Sequence, residues 1–187
     1  EDGLRAFFVD KKGKVWFGSI NGVYLFDPAS GELSTCRHSQ SDPYSLPNNS
    51  IWVITEDRQR NVWVGTYSGM LCYVNVDEGD AFTTFHAKEG ELHSPLVSSF
   101  AENDEYVWIG TEGGGVDRMD KRTGAFRNVM GKGQMASLNV KSLVVGREND
   151  LWVSTFRGGI YQFNSSGRLK KNYLHVSGDT TSLLVNN

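Results

Sequence analysis

The sequence predicts an all-β protein, a β-propeller of four four-stranded antiparallel blades. Three observations predict it. VWFGSING (15–22), VWVGTYSG (62–69), VWIGTEGG (107–114) and LWVSTFRG (151–158) are variants of one motif. Their tryptophans, Trp16, Trp63, Trp108 and Trp152, stand 47, 45 and 44 residues apart. Each repeat also holds four short apolar or β-branched runs separated by turn residues, and no segment shows a helical period.

Repeat 2 shows the elements in order. SIWVITED (50–57) reads as strand A, RQRN as a turn, VWVGT (62–66) as strand B, MLCYVN (70–75) as strand C and FTTF (82–85) as strand D. The motif tryptophan suits packing between adjacent blades. Gly18, Gly65 and Gly110, two residues on, leave room for close backbone approach, and Ser154 replaces them in repeat 4. Gly22, Gly69 and the pairs 114–115 and 158–159 supply positive φ to the B–C turns. Asp27, Asn75, Asp120 and Asn164 close strand C and open the next turn. Blades are expected at about 3–37, 48–86, 96–130 and 139–175, as one partial domain whose residues 176–187 cross to a further blade.

The crossovers repeat as well: HSQSDPYSLPNN (38–49) and HVSGDTTSLLVNN (175–187) share a His, an Asp, Ser-Leu and a final Asn-Asn. His38 and His175 are read as hydrogen-bonding anchors of these loops, not as metal ligands. Cys36 and Cys72 form no CxxC pair and join no Cys/His cluster, so neither metal nor cofactor is expected. A disulfide between them is compatible with an oxidising compartment; two separate thiols are the simpler reading.

Charge and hydropathy exclude further classes. The 187 residues carry a net charge of −3 and no Lys/Arg block, so no nucleic-acid surface is expected. No apolar run approaches the roughly 20 residues of a membrane helix, so no membrane contact is expected either. The chain begins at Glu1 without Met or signal peptide and reads as a piece of something longer.

The pattern SLPNNSIWVITEDRQRNVWVGT, with its Gly turn and closing Asn, resembles the two-component regulator propeller repeat, as do 97–120 and 140–164. The resemblance covers essentially the whole chain. It implies a segment of a larger, seven-bladed propeller in the periplasmic sensor region of a hybrid histidine kinase/response regulator. It also implies sensing of oligosaccharides and control of polysaccharide-utilisation genes. The kinase, the DNA-binding segment and the membrane helix of that family are not in this sequence, so the chain itself is expected not to be an enzyme.

Positions that vary between repeats are the candidates for recognition. B–C turns and D–A crossovers emerge on one face of an up-and-down blade. The turns read Ile20-Asn21, Tyr67-Ser68, Glu112-Gly113 and Phe156-Arg157. In strand A, the residue after Leu4, Ile51, Val97 and Val140 is Arg5, Trp52, Ser98 or Lys141, a variation no core position accepts. Trp52 is the leading stacking candidate for a sugar. Tyr67, Phe156, Arg157, Tyr44, Glu112, Arg5, Lys141 and Asn21 complete the ligand-binding set. The alternative is a propeller scaffold for another protein. Glycoside hydrolysis needs two facing carboxylates, and Glu112 with Glu89 and Glu91 in a crossover is a poor start. With apolar faces on the first and last blades, the chain is expected either to close as a four-bladed ring or to self-associate as a homodimer. Pairing is favoured because blades shaped for a wide ring splay too little to close at four.

Overall fold

The computed structural model describes residues 3–67, 70–88, 90–131 and 133–186. Among these residues sixteen strands form four antiparallel sheets of four, each in sequence order. Blade 1 comprises β1 (Ala6–Val9), β2 (Val15–Ser19), β3 (Gly22–Asp27) and β4 (Glu32–Cys36). Blade 2 comprises β5 (Ile51–Glu56), β6 (Asn61–Thr66), β7 (Met70–Asn75) and β8 (Thr83–His86). Blade 3 has β9 (Val97–Glu102), β10 (Tyr106–Thr111), β11 (Gly115–Asp120) and β12 (Phe126–Met130). Blade 4 has β13 (Val140–Val145), β14 (Leu151–Thr155), β15 (Gly159–Phe163) and β16 (Leu169–Tyr173). The sheets are the four blades expected of a propeller, and among the described residues no helix is long and apolar enough to cross a membrane.

The chain divides into two compact units, Glu1–Ala87 with Pro95–Val97 and Lys88–Ser94 with Ser98–Asn187. The first holds blades 1 and 2 and a core of Trp16, Val23, Ile51, Ile54, Val62 and Val64 with their neighbours. The second holds blades 3 and 4, with Trp108, Val116, Val140, Leu143, Leu151 and Val153 in its core. In both, apolar side chains of one sheet close on those of the next, so burial holds blade to blade within the unit.

One close approach explains the motif glycines. A Cβ on Gly18 would meet Ile51 Cγ2 at 2.5 Å, and a Cβ on Gly110 would meet Val140 Cγ1 at 2.6 Å. The strand-B glycine of one blade is therefore the seat for the first strand-A side chain of the next. Ile51 and Val140 are fully buried there. Leu4 holds the same place in blade 1 and is 62% exposed.

The B–C turns need a correction. Gly22, Gly115 and Gly159 have positive φ, but Gly114 and Gly158 do not. Those two are small because a Cβ would meet Ser94 Cβ at 2.6 Å and Ser137 Cβ at 2.8 Å, in the crossover packed over each turn. Gly69 lies outside the described residues. The ends of strand C behave as the turn chemistry predicts: Asp27, Asn75, Asp120 and Asn164 each accept a backbone N–H in the turn that follows.

The crossover histidines are loop anchors. His38 N–H donates to Asn49 Oδ1 at 2.6 Å and its Nδ1–H to the Leu46 carbonyl at 2.8 Å. His175 repeats both bonds with Asn186 and the Leu183 carbonyl, at 2.6 and 2.7 Å. Cys36 and Cys72 are free thiols, half-buried and buried, and burial pushes both thiols up from their ordinary value. Neither is set up as a nucleophile.

Candidate functional site

In the first unit the structure brings together three of the candidate residues. Trp52 is the extra residue of a β-bulge: Ile51 pairs with Thr66 and Val53 with Gly65, and Trp52 between them has no partner. A bulge re-aims a side chain, and the Trp52 indole is 41% exposed. Tyr67, in the β6–β7 turn, lies 5.8 Å from it, the two ring planes inclined at 41°. Arg5, just before β1, holds the Trp52 place in blade 1, and its guanidinium carbon stands 5.4 Å from the centre of the Trp52 ring. The group is a wedge of two tilted aromatic rings with a cation over one face of Trp52.

Ser50 fixes the wedge. Its carbonyl accepts Tyr67 N–H at 2.8 Å, its hydroxyl accepts from Arg5 Nη1 at 3.2 Å, and its own N–H donates to Asn48 Oδ1 at 2.7 Å. Arg5 N–H donates to the Gly18 carbonyl at 2.8 Å. Sequence comparison among repeats did not single out Ser50, because a serine before strand A looks like ordinary loop chemistry.

The second unit builds a related group from four other candidates. Lys141 is again the bulged residue, between the pairs Val140–Thr155 and Ser142–Ser154. Its ammonium stands 5.7 Å from the ring centre of Phe156, in the β14–β15 turn, and forms an ion pair with Glu112 of the β10–β11 turn. Arg157 folds back over Phe156 at 5.0 Å. Trp52 with Tyr67 and Lys141 with Phe156 are thus the same two positions in two blades, one aromatic–aromatic and one cation–aromatic.

Among the described residues Tyr44 is not brought into these groups by any contact, and Asn21 sits in a different turn. Tyr44 is exposed on the crossover, its carbonyl accepting Phe82 N–H at 2.8 Å beside the outermost strand of blade 2. Asn21 is exposed in the β2–β3 turn, its N–H donating to Ser19 Oγ at 2.9 Å. Of the carboxylates weighed for hydrolysis, Glu112 is taken up by Lys141, Glu91 pairs with Lys88 at 3.0 Å, and Glu89 lies outside the described residues. Among the described residues no group of three or more His, Cys, Asp or Glu side chains could hold a metal ion.

One buried charge was missed. Asp117 is fully buried; its carboxylate meets His93 Nδ1 at 2.9 Å and accepts His93 N–H at 2.8 Å and Asn128 Nδ2 at 2.9 Å. The equivalent Tyr161 hydroxyl in blade 4 accepts Ala136 N–H at 2.9 Å, so both side chains tie down the crossover that precedes their turn. The signal was present: Asp117 stands where strand C carries Tyr24, Cys72 and Tyr161 in the other repeats.

With this geometry established, comparison with known proteins places the repeat. Residues 45–68, the crossover end, strand A, strand B and the Trp52/Tyr67 pair of blade 2, match the family model described as the two component regulator propeller. Residues 45–68 read as one copy of that regulator repeat. The extracellular domain assigned to the hybrid two component system BT4673 of B. thetaiotaomicron is 28% identical over 98% of this chain and 24% of its own, with a TM-score of 0.79. The corresponding domain of BT3049 from the same organism has a TM-score of 0.80 at 19% identity, over 94% of this chain and 25% of its own. The chain therefore spans about a quarter of these domains. The computationally designed Ika4 protein shares the fold at TM-score 0.63 and 18% identity, over 88% of this chain and 92% of its own. No curated protein matches the chain.

Proposed function

We propose that this chain is a non-catalytic, periplasmic segment of the sensor region of a hybrid two-component signalling protein, and that it takes part in recognising an oligosaccharide whose breakdown genes the full protein controls. The observation that carries the sensor reading is the 28% identity, over nearly the whole chain, with the extracellular domain of such a system. The carbohydrate reading is supported by the wedge of Trp52 and Tyr67. Exposed aromatic faces held at fixed inclination suit the C–H faces of pyranose rings, and neighbouring amides and charges suit hydroxyls. The backbone under both rings is held, Trp52 between two paired neighbours and Tyr67 by its bond to the Ser50 carbonyl, which limits the ordering that opposes binding.

Titration of the chain with a panel of neutral and acidic oligosaccharides, followed by tryptophan fluorescence, tests this reading. Trp52 is the most exposed tryptophan, and its quenching by at least one sugar, lost in Trp52→Ala, is the expected result. A signal unmoved by every sugar would favour the scaffold reading, in which the same end of the blades holds another protein.

A further inference from the structure

We infer that the ligand of the Arg5–Trp52–Tyr67 wedge is an anionic sugar, one bearing a carboxylate or sulfate group beside the ring that stacks on Trp52. The inference rests on the oligosaccharide reading above and narrows it. Its starting point is a difference between cations. Lys141, in the related group of the second unit, is neutralised by Glu112. Lys12 pairs with Asp77, Lys14 with Asp27, Arg60 with Glu56, Lys121 with Glu102 and Lys170 with Asp150. Arg5, like Arg157 in the second unit, meets no carboxylate among the described residues; Arg5 differs in having the neutral hydroxyl of Ser50 as its polar contact.

The guanidinium is nonetheless fixed, not a freely waving surface charge. Its backbone is bonded to Gly18, Ser50 holds one of its nitrogens, and it stands over one face of the Trp52 ring, leaving the other to a sugar. A guanidinium carries five N–H donors in a plane, and among the described residues one is used, which leaves others for a planar or tetrahedral oxyanion. Charge-assisted bonds of this kind are about twice as strong as neutral ones. A ring stacked on Trp52 lies within one side chain's reach of them. A neutral sugar can use the aromatic faces but leaves the cation without a counter-charge.

The test uses the full chain with three disaccharides of the same linkage: one neutral, one carrying a uronate, one carrying a sulfate. At low salt at least one anionic sugar should bind about tenfold tighter than the neutral one. Which one does so identifies the anion. That advantage should shrink as salt is raised and vanish in Arg5→Gln, whose unfolding midpoint stays that of the parent chain. Trp52→Ala should weaken all three. Equal affinity for neutral and anionic sugars, or a preference that survives in Arg5→Gln, overturns the inference while the oligosaccharide reading stands. Failure of all three to bind overturns both.

Discussion

Arg157 adopts φ +62°, while Gly113, at the same place in blade 3, sits at +86°. A side chain in the left-handed region crowds its own backbone, at a cost of about 1–2 kcal/mol. Here the arginine is retained over Phe156, at an end of the blade where repeats differ most. Strain of this kind tends to collect at functional positions. Replacing Arg157 by Gly should therefore stabilise the chain by about 0.5–1 kcal/mol in urea unfolding, the relief being partly offset by the greater freedom of glycine when unfolded. An unchanged or lowered midpoint would show that the contact with Phe156 outweighs the backbone strain.

At the scale of the element, strands A and B of a blade are fastened by a carboxylate in the turn between them. Asp57 accepts the indole N–H of Trp63 at 2.8 Å, the backbone N–H groups of Gln59 and Asn61, and Asn61 Nδ2. Asp10 does the same for Trp16 and for the N–H groups of Lys12 and Lys14. In blade 3 the turn carries Asn103 one residue closer to the tryptophan; it accepts from Glu105 and Tyr106 N–H, and the buried Trp108 Nε1 has no hydrogen-bond partner. Asp57→Ala would leave a second buried indole N–H unsatisfied and open the turn. We expect a loss of about 2–4 kcal/mol in unfolding free energy, with Asp57→Asn recovering part of it. A loss below half a kcal/mol would mean that packing alone holds Trp63.

At the scale of the molecule, the uncovered face of blade 1 matters most. Leu4, Phe7 and Leu33 are each at least 60% exposed, and Leu4 and Leu33 line a shallow hollow of about 340 Å³ with Phe17 and Tyr24. The equivalents of Leu4 in blades 2 and 4, Ile51 and Val140, are each covered by a strand-B glycine. An apolar face of this kind invites association, and we propose a second copy as its cover. Ser154 stands where a seating glycine stands in the other blades and is small enough to receive Leu4. Light scattering at several concentrations should give twice the 20.8 kDa of one chain, and Leu4→Glu should return it to one. A monomer at all concentrations would sink this proposal without touching the ligand reading.

The sequence alone determined the blade. Its period, the alternation of apolar and polar residues, and the turn chemistry after strand C are local properties, and local sterics fix them. It also marked Arg5, Trp52, Tyr67, Glu112, Lys141, Phe156 and Arg157 as variable where the core is not. Only the tertiary structure decided which of these meet, since a bulge aims Trp52 at Tyr67 and Lys141 at Phe156, and a bulge cannot be read from alternation. It set Tyr44 apart from both groups, because contacts between loops depend on how each crossover folds back. It also showed why Gly18 must be Gly and what Asp57 and Asp117 hold. For Gly18 and Asp117 the reasons lie in atoms far away in sequence, brought near when one blade closes on another or a crossover folds back; for Asp57 they lie within six residues, in a turn whose shape alternation does not show.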